Sequence, residues 1–202
     1  MAAGIIDRKL FFIINPQAGG GNARDWWART QPALNKLQLD YFFAFSEQQG
    51  SAAEQVRQAI TEQGAKAVVA VGGDGTLFEA INGMIQDDAL LGEDVVFVAC
   101  PAGSACDFGR FLYGRGGENL LEMLQYGKIM PIDIGRCLYQ APGGGESVSY
   151  YINSFDAGAG ADTCKLVNNG MSWLKRLFRS GRMPFLLTSL KVLMTYRYSD
   201  VV

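Results

Sequence analysis

The chain has 202 residues, 49% hydrophobic and 19% charged, with a net charge of −2, which excludes a disordered composition and leaves room for a real core. Four cysteines without a C-x-x-C pair, and no histidine, exclude the usual zinc sites, a secreted disulfide framework and any mechanism that needs an imidazole. No stretch reaches the roughly 18 apolar residues of a membrane span, and Met1–Asp7 lacks a signal-peptide pattern, so a reducing cytoplasm is the expected location.

Leu10-Phe11-Phe12-Ile13-Ile14 reads as a short buried strand. It ends at Asn15-Pro16-Gln17-Ala18-Gly19-Gly20-Gly21, where proline stops the strand and the glycines predict a flexible turn. A helix is expected over about 22–37, with Trp26, Trp27, Ala33, Leu34 and Leu37 on its buried side and an irregularity at Pro32. Asp40–Phe45 is the second strand, followed by Ser46. Ser51 then caps a helix with Ala52, Val56, Ala59 and Ile60 on one face, and Gly64 ends it.

The third strand, Val68-Val69-Ala70-Val71, runs into Gly72-Gly73-Asp74-Gly75 and resumes as a helix through Thr76, Glu79, Ala80, Ile81 and Met84. Glycine lets a backbone approach a ligand, and the free amides and positive dipole end of the following helix suit a phosphate. An Asp-Gly turn is the simpler account of the glycines alone, but a buried strand before the loop and a helix after it favour a phosphate site carrying one carboxylate. Val95–Ala99 is the fourth strand, running into Cys100-Pro101-Ala102-Gly103-Ser104-Ala105-Cys106-Asp107-Phe108. A helix is expected over 118–126 with Leu120, Leu121 and Leu124 inside.

Strand alternating with helix four times predicts a parallel α/β sheet, with Asn15, Ser46, Gly72–Thr76 and Gly103-Ser104 at the carboxyl ends of its strands, where such sheets bind ligands. After Gly127 the pattern changes: 131–136 and 147–155 read as antiparallel strands separated by Pro142-Gly143-Gly144-Gly145, which puts a domain boundary near residue 130. A helical segment is expected from about Trp173 to Tyr196, interrupted near Gly181 and Pro184.

Charge divides unevenly along the chain. Seven of the 18 basic residues (Lys165, Lys175, Arg176, Arg179, Arg182, Lys191 and Arg197) lie between Asp162 and Asp200 with no acid among them, leaving 11 basic and 19 acidic residues in 1–164. Trp173, Leu174, Leu177 and Phe178 lie beside those bases as in an interfacial helix; the favoured reading packs the apolar side inside the second domain and leaves the bases solvated. Nucleic acid is not an expected partner, and Asp87-Asp88 and Glu93-Asp94 read as solvated loop charges.

Gly72-Gly73-Asp74-Gly75-Thr76-Leu77-Phe78-Glu79, with Asn82-Gly83 after it, resembles the signature of the diacylglycerol kinase catalytic domain, whose superfamily also holds sphingosine kinases, bacterial lipid kinases and, more distantly, NAD kinases. The resemblance extends over roughly residues 9–197. Asn15-Pro16-x-x-Gly19 is similar to the first phosphate loop, Ser46 stands where a threonine is usual, and Pro101–Phe108 is similar to P-x-G-T-x-N-D-F. Ile132-Asp133-Ile134-Gly135-Arg136 and Tyr151-Ile152-Asn153 are similar to the crossing into a second domain.

The resemblance implies a Rossmann-like nucleotide-binding α/β domain over 1–130 with a mainly parallel sheet. Residues 131–202 would then begin an incomplete, β-rich lipid-side domain with C-terminal helices. It implies ATP and Mg²⁺ as cofactors, and transfer of the γ-phosphoryl of ATP to a hydroxyl of a diacylglycerol-like or sphingoid lipid, a reaction that needs no histidine. The implied nucleotide site is Asn15, Pro16, Gln17, Ala18, Gly19, Ser46, Gly72, Gly73, Asp74, Gly75, Thr76, Leu77, Phe78, Glu79 and Ser104. Asp74 belongs to the catalytic centre, as partner of a ribose hydroxyl, of Mg²⁺ or of the nucleophile; metal ligands stay unassigned.

Phe78 replaces a polar residue of the family pattern, Ser104 a threonine and Cys106 an asparagine. The resemblance also implies about a hundred further residues, carrying the general base and the rest of a β-sandwich, so the 202 residues are expected to bind ATP and to turn over lipid poorly. A peripheral membrane contact through 165–197, an NAD kinase-like enzyme with a soluble acceptor, and a non-catalytic ATP-binding fragment or regulatory protein stay open as alternatives.

Overall fold

The computed structural model describes residues 4–21, 23–101, 107–113, 119–141, 143–154, 158–167 and 182–196. The first elements are β1 (Leu10–Ile14), a helical turn α1 (Ala18–Gly21), α2 (Ala23–Lys36), β2 (Tyr41–Phe45), α3 (Ser51–Thr61), β3 (Ala67–Gly72) and α4 (Asp74–Met84). There follow β4 (Ile85–Gln86), β5 (Ala89–Leu90), β6 (Val96–Pro101), α5 (Asp107–Tyr113), α6 (Leu120–Tyr126), β7 (Gly135–Gln140) and β8 (Glu146–Tyr151). Two further helices are α7 (Ala159–Lys165) and α8 (Arg182–Thr195).

Four strands form a parallel sheet in the order β2-β1-β3-β6, as the alternation of strands and helices predicts. All residues of β1 and β3 are buried, because helices cover both faces and a parallel strand must be apolar throughout. Successive side chains divide between the faces. Phe11, Ile13, Val68 and Ala70 pack with Val56 of α3 and Leu77 and Ile81 of α4, whereas Phe12, Ile14, Val69 and Val71 pack with Trp27 and Leu34 of α2 and Leu124 of α6. A Cβ on Gly83 would lie 2.3 Å from the Ala53 carbonyl oxygen, so glycine there is what lets α3 and α4 touch.

Several boundaries differ from the sequence expectation. The glycines after β1 form a helical turn rather than an open loop: the Asn15 side chain accepts from the Gln17 amide at 2.9 Å and the Asn15 carbonyl from the Ala18 amide at 3.0 Å, which starts the turn. Helix α2 continues through Pro32. A small hairpin, β4–β5, follows α4; Asp87 and Asp88 make its two-residue turn at φ +50° and +60°, a conformation aspartate tolerates.

The expected strand over 131–136 is displaced to β7. Gly143, Gly144 and Gly145, all at φ near +100°, form the turn that sets Gly135 opposite Tyr151, and this long-range register overrides the local β-propensity of 131–134. β8 ends at Tyr151.

The chain divides into two compact units, Met1–Asn153 and Ser154–Val202, so the β7–β8 hairpin falls in the unit of the parallel sheet, past the boundary expected near residue 130. In the second unit α7 packs against α8, and the Tyr196 hydroxyl lies 2.7 Å from the Cβ position of Gly158, which sits at φ +69°. Pro184 is the third described residue of α8.

In α8, Thr188 and Val192 are buried. Leu186, Leu190, Leu193 and Met194 of the same helix are exposed. Gly181, Trp173, Leu174, Lys175, Arg176, Leu177, Phe178, Arg179 and Arg197 lie outside the described residues. Among the described residues no helix is long and apolar enough to cross a membrane.

Candidate functional site

The sheet order makes a crevice. The chain leaves β1 toward β2 on one side and returns to β3 on the other, so the loops after β1 and β3 leave in different directions from adjacent strands. The Asn15 amide donates to the Val71 carbonyl at 3.0 Å and the Ser46 amide to the Ile14 carbonyl at 2.9 Å, so the ends of β1, β2 and β3 are level.

The two loops bond directly. Asn15 Nδ2 donates to Thr76 Oγ1 at 3.2 Å, while its Oδ1 is held by the Gln17 amide. Thr76 is 5% exposed. With its oxygen accepting from Asn15, the Thr76 hydroxyl proton points to another acceptor. This approach depends on Gly72: a Cβ there would meet Thr76 Oγ1 at 2.3 Å. Gly73 is the N-cap of α4, in extended backbone. Gly75 lies in the first turn, ahead of the first i−4 hydrogen bonds, and among the described residues nothing beyond its chain neighbours and its own helix backbone lies within 4 Å of where its Cβ would be. A ligand oxygen can therefore approach that backbone closely.

A third segment reaches the same place. Pro101, at the end of β6, is paired in register with Gly72, and the Phe108 amide of α5 donates to Asp74 Oδ1 at 3.3 Å. Both flanks of 102–106 therefore lie against the Gly72–Asp74 loop. Ser104, with Ala102, Gly103, Ala105 and Cys106, falls outside the described residues.

The structure thus brings Asn15 to Thr76 and the turn α1, which begins at Ala18, to β3, with Pro16 and Gln17 between them in the chain and Ser46 at the neighbouring strand end. Leu77 points the other way, into the core, and is fully buried. Phe78 is 41% exposed. Glu79 Oε2 accepts from the Ala52 amide at 3.2 Å, placing a carboxylate at the start of α3, a helix whose N-cap, Gly50, has no side chain to offer. Among the described residues no three acidic or cysteine side chains converge as a metal cluster.

Two residues carry more than the sequence indicated. Asn82 bonds the backbone of Tyr150 twice, through Nδ2 to its carbonyl at 2.8 Å and through Oδ1 from its amide at 2.9 Å. Its place in the Asn82-Gly83 pair was the only sequence signal. Asp88, expected to be a solvated loop charge, accepts from the Tyr150 hydroxyl and from Arg136 Nε, each at 2.7 Å. The tyrosine hydrogen bond first, then the arginine, holds its carboxyl below the usual range, and Asp88 in turn raises the pKa of Tyr150 and Arg136.

A family model described as the diacylglycerol kinase catalytic domain matches residues 9–137. A curated protein of Bacillus subtilis (strain 168), "Putative lipid kinase YtlR", is 36% identical over 102 residues, covering 50% of this chain and 31% of that protein. A solved structure titled "A putative diacylglycerol kinase from Bacillus anthracis str. Sterne" aligns at 26% identity and TM-score 0.45 over 55% of this chain and 38% of its own. Another from the same strain, titled as a crystal structure of a diacylglycerol kinase, aligns at 27% and 0.43 over 52% and 36%. The matches thus span about a third of the length of these relatives.

Proposed function

The chain belongs to the diacylglycerol kinase catalytic-domain family, and from that premise we propose that it binds ATP with Mg²⁺ in the crevice between the β1 and β3 loops. It serves transfer of the γ-phosphoryl to a hydroxyl of a diacylglycerol-like or sphingoid lipid. The observation that carries the reading is the junction of loops: Asn15 bonded to Thr76, and Phe108 to Asp74.

Phosphoryl transfer is chiefly positioning and charge stabilisation. The backbone from Gly73 to Gly75, at the start of α4, supplies amides for phosphate oxygens, and the Thr76 hydroxyl, oriented by Asn15, donates a further hydrogen bond; the amides of Asn15, Gln17 and Ala18 are taken up by Val71 and by Asn15 itself, so the first loop acts by shaping the crevice. Ser46 provides an additional hydroxyl at the crevice rim, and Ser104 is assigned a further one on its sequence motif alone. Glu79 braces α3 against this loop and acts on the nucleotide indirectly. Mg²⁺ neutralises phosphate charge and takes few protein ligands when it comes with a nucleotide, so the single carboxylate of Asp74 fits it. Asp74 would also orient the incoming hydroxyl.

An apolar cavity of about 550 Å³ in the same unit supports an apolar acceptor; Phe108, Ile81 and Met84 line it, and Lys128 is the sole charged residue on its wall among the described residues. The test is calorimetry with ATP–Mg²⁺, then radiolabel transfer from ATP to diacylglycerol, sphingosine and NAD in parallel. Binding of ATP with label in a lipid is the expected result. Label in NAD, or no binding of ATP, overturns the proposal; binding without transfer leaves the nucleotide site and removes the catalytic claim.

A further inference from the structure

Asn82 stands on α4 about two turns beyond Asp74 and Thr76. Its amide is engaged on three sides: Nδ2 donates to the Phe78 carbonyl and to the Tyr150 carbonyl, each at 2.8 Å, and Oδ1 accepts from the Tyr150 amide at 2.9 Å. This pattern admits one orientation, since turning the amide over would set donor against donor and acceptor against acceptor.

Tyr150 lies opposite Arg136 in the antiparallel β7–β8 pair. In such a pair alternate residues turn both N–H and C=O outward, and those of Tyr150 go to Asn82. The side-chain amide thus substitutes for a third strand at the outer edge of β8. The other end of the same tyrosine is also held. Its hydroxyl donates to Asp88, in the turn that follows α4, and Asp88 binds Arg136 of β7. Helix α4 therefore carries the candidate phosphate loop at its start and grips the hairpin near its end.

We propose that Asn82 is a positioning residue that couples the nucleotide loop to the β7–β8 hairpin. This rests on the nucleotide reading given above and goes beyond it. Asn82 touches no reacting group. It sets the hairpin, and whatever approaches from that side, at a fixed distance from Asp74 and Thr76, and it transmits order in both directions along one rigid helix. A nucleotide that orders the first turn of α4 then also orders the hairpin.

The test is amide hydrogen exchange over 135–151 with and without the non-hydrolysable analogue AMP-PNP and Mg²⁺, alongside calorimetry with the same ligand. In the parent, nucleotide slows hairpin exchange. In Asn82→Leu, which keeps the volume and loses the bonds, hairpin exchange in the absence of nucleotide rises at least about tenfold and nucleotide no longer slows it, while affinity stays within about threefold. Asn82→Asp, which can accept from the Tyr150 amide but cannot donate to its carbonyl, retains part of the coupling. Thermal melts show whether each variant folds; if Asn82→Leu does not, Asn82→Asp and Asn82→Ser carry the comparison.

Parent protein that binds nucleotide without any change in hairpin exchange overturns this inference and leaves the nucleotide site standing. A variant that retains the full nucleotide effect overturns it equally. Failure of the parent to bind AMP-PNP overturns the nucleotide reading, and this inference with it.

Discussion

Gly72→Ala and Gly75→Ala separate the fold of the phosphate loop from its use. At Gly72 the added Cβ would lie 2.3 Å from Thr76 Oγ1, 2.6 Å from its Cβ and 3.0 Å from its Cγ2. Thr76 cannot rotate away, because it is buried and each rotamer leaves its Cβ in place. The first turn of α4 must shift, and the bond from Asn15 opens. Overpacking of this kind costs about 1–3 kcal/mol. In a chain of this size each kcal/mol lowers the Tm by about 2–4 °C.

At Gly75 the added methyl meets nothing within 4 Å among the described residues outside its own helix backbone and chain neighbours, and the residue is in a helix without a positive φ. Alanine there keeps or raises stability by a few tenths to about 1 kcal/mol. Its methyl occupies the space assigned to a phosphate oxygen, so ATP affinity should fall about tenfold or more, the loss expected when close backbone contacts to an anion are blocked. Differential scanning calorimetry and titration with ATP–Mg²⁺ read both effects. Gly72→Ala with parental Tm and affinity would refute the packing argument; Gly75→Ala with parental affinity would refute the placement of the phosphates.

Asp74→Ala should leave the fold intact, at a cost of about 1 kcal/mol for the lost acceptor of the Phe108 amide, and should abolish ATP turnover or weaken binding at least tenfold; parental binding and turnover would sink the site assignment. The hairpin latch should respond to acid. The folded-state pKa of Asp88 is depressed, so the stability it contributes is fully present above the ordinary carboxylate pKa of about 3.9 and is lost as pH falls through the lower folded value. Proteolysis in the 141–146 loop, compared at pH 7 and pH 3 with an acid-tolerant protease, should show the hairpin opening in acid, and Asp88→Asn should flatten that dependence. An unchanged pH response in Asp88→Asn would place the titrating group elsewhere.

The parallel sheet was legible because its signals are local. Leu10–Ile14 and Val68–Val71 are continuous apolar runs, and only strands covered on both faces can carry them. The Gly72–Thr76 loop was legible for the same kind of reason: a strand, a glycine-rich break and a helix start lie within a few residues. The role of Asn82 was not legible, since its partner Tyr150 is 68 residues away, and neither was that of Asp88, whose partner Arg136 is 48 away. The first hairpin strand was placed too early because Pro131–Ile134 has the composition of a strand, and only the turn at Gly143–Gly145 decides which residues pair.

What the sequence determined by itself is the list of chemical parts and the order of the elements that carry them: the glycines around Asp74, the Asn15 turn, the family signature. These depend on backbone preference and hydrophobic period, which act over a few residues. The tertiary structure decided how the parts meet. It put Asn15 on Thr76, turned Glu79 to the start of α3, and made α4 the shared support of the phosphate loop and the hairpin. Such contacts depend on the crossing from β1 to β3 and on the closeness that Gly72 and Gly83 allow, and both are properties of chain segments packed in space.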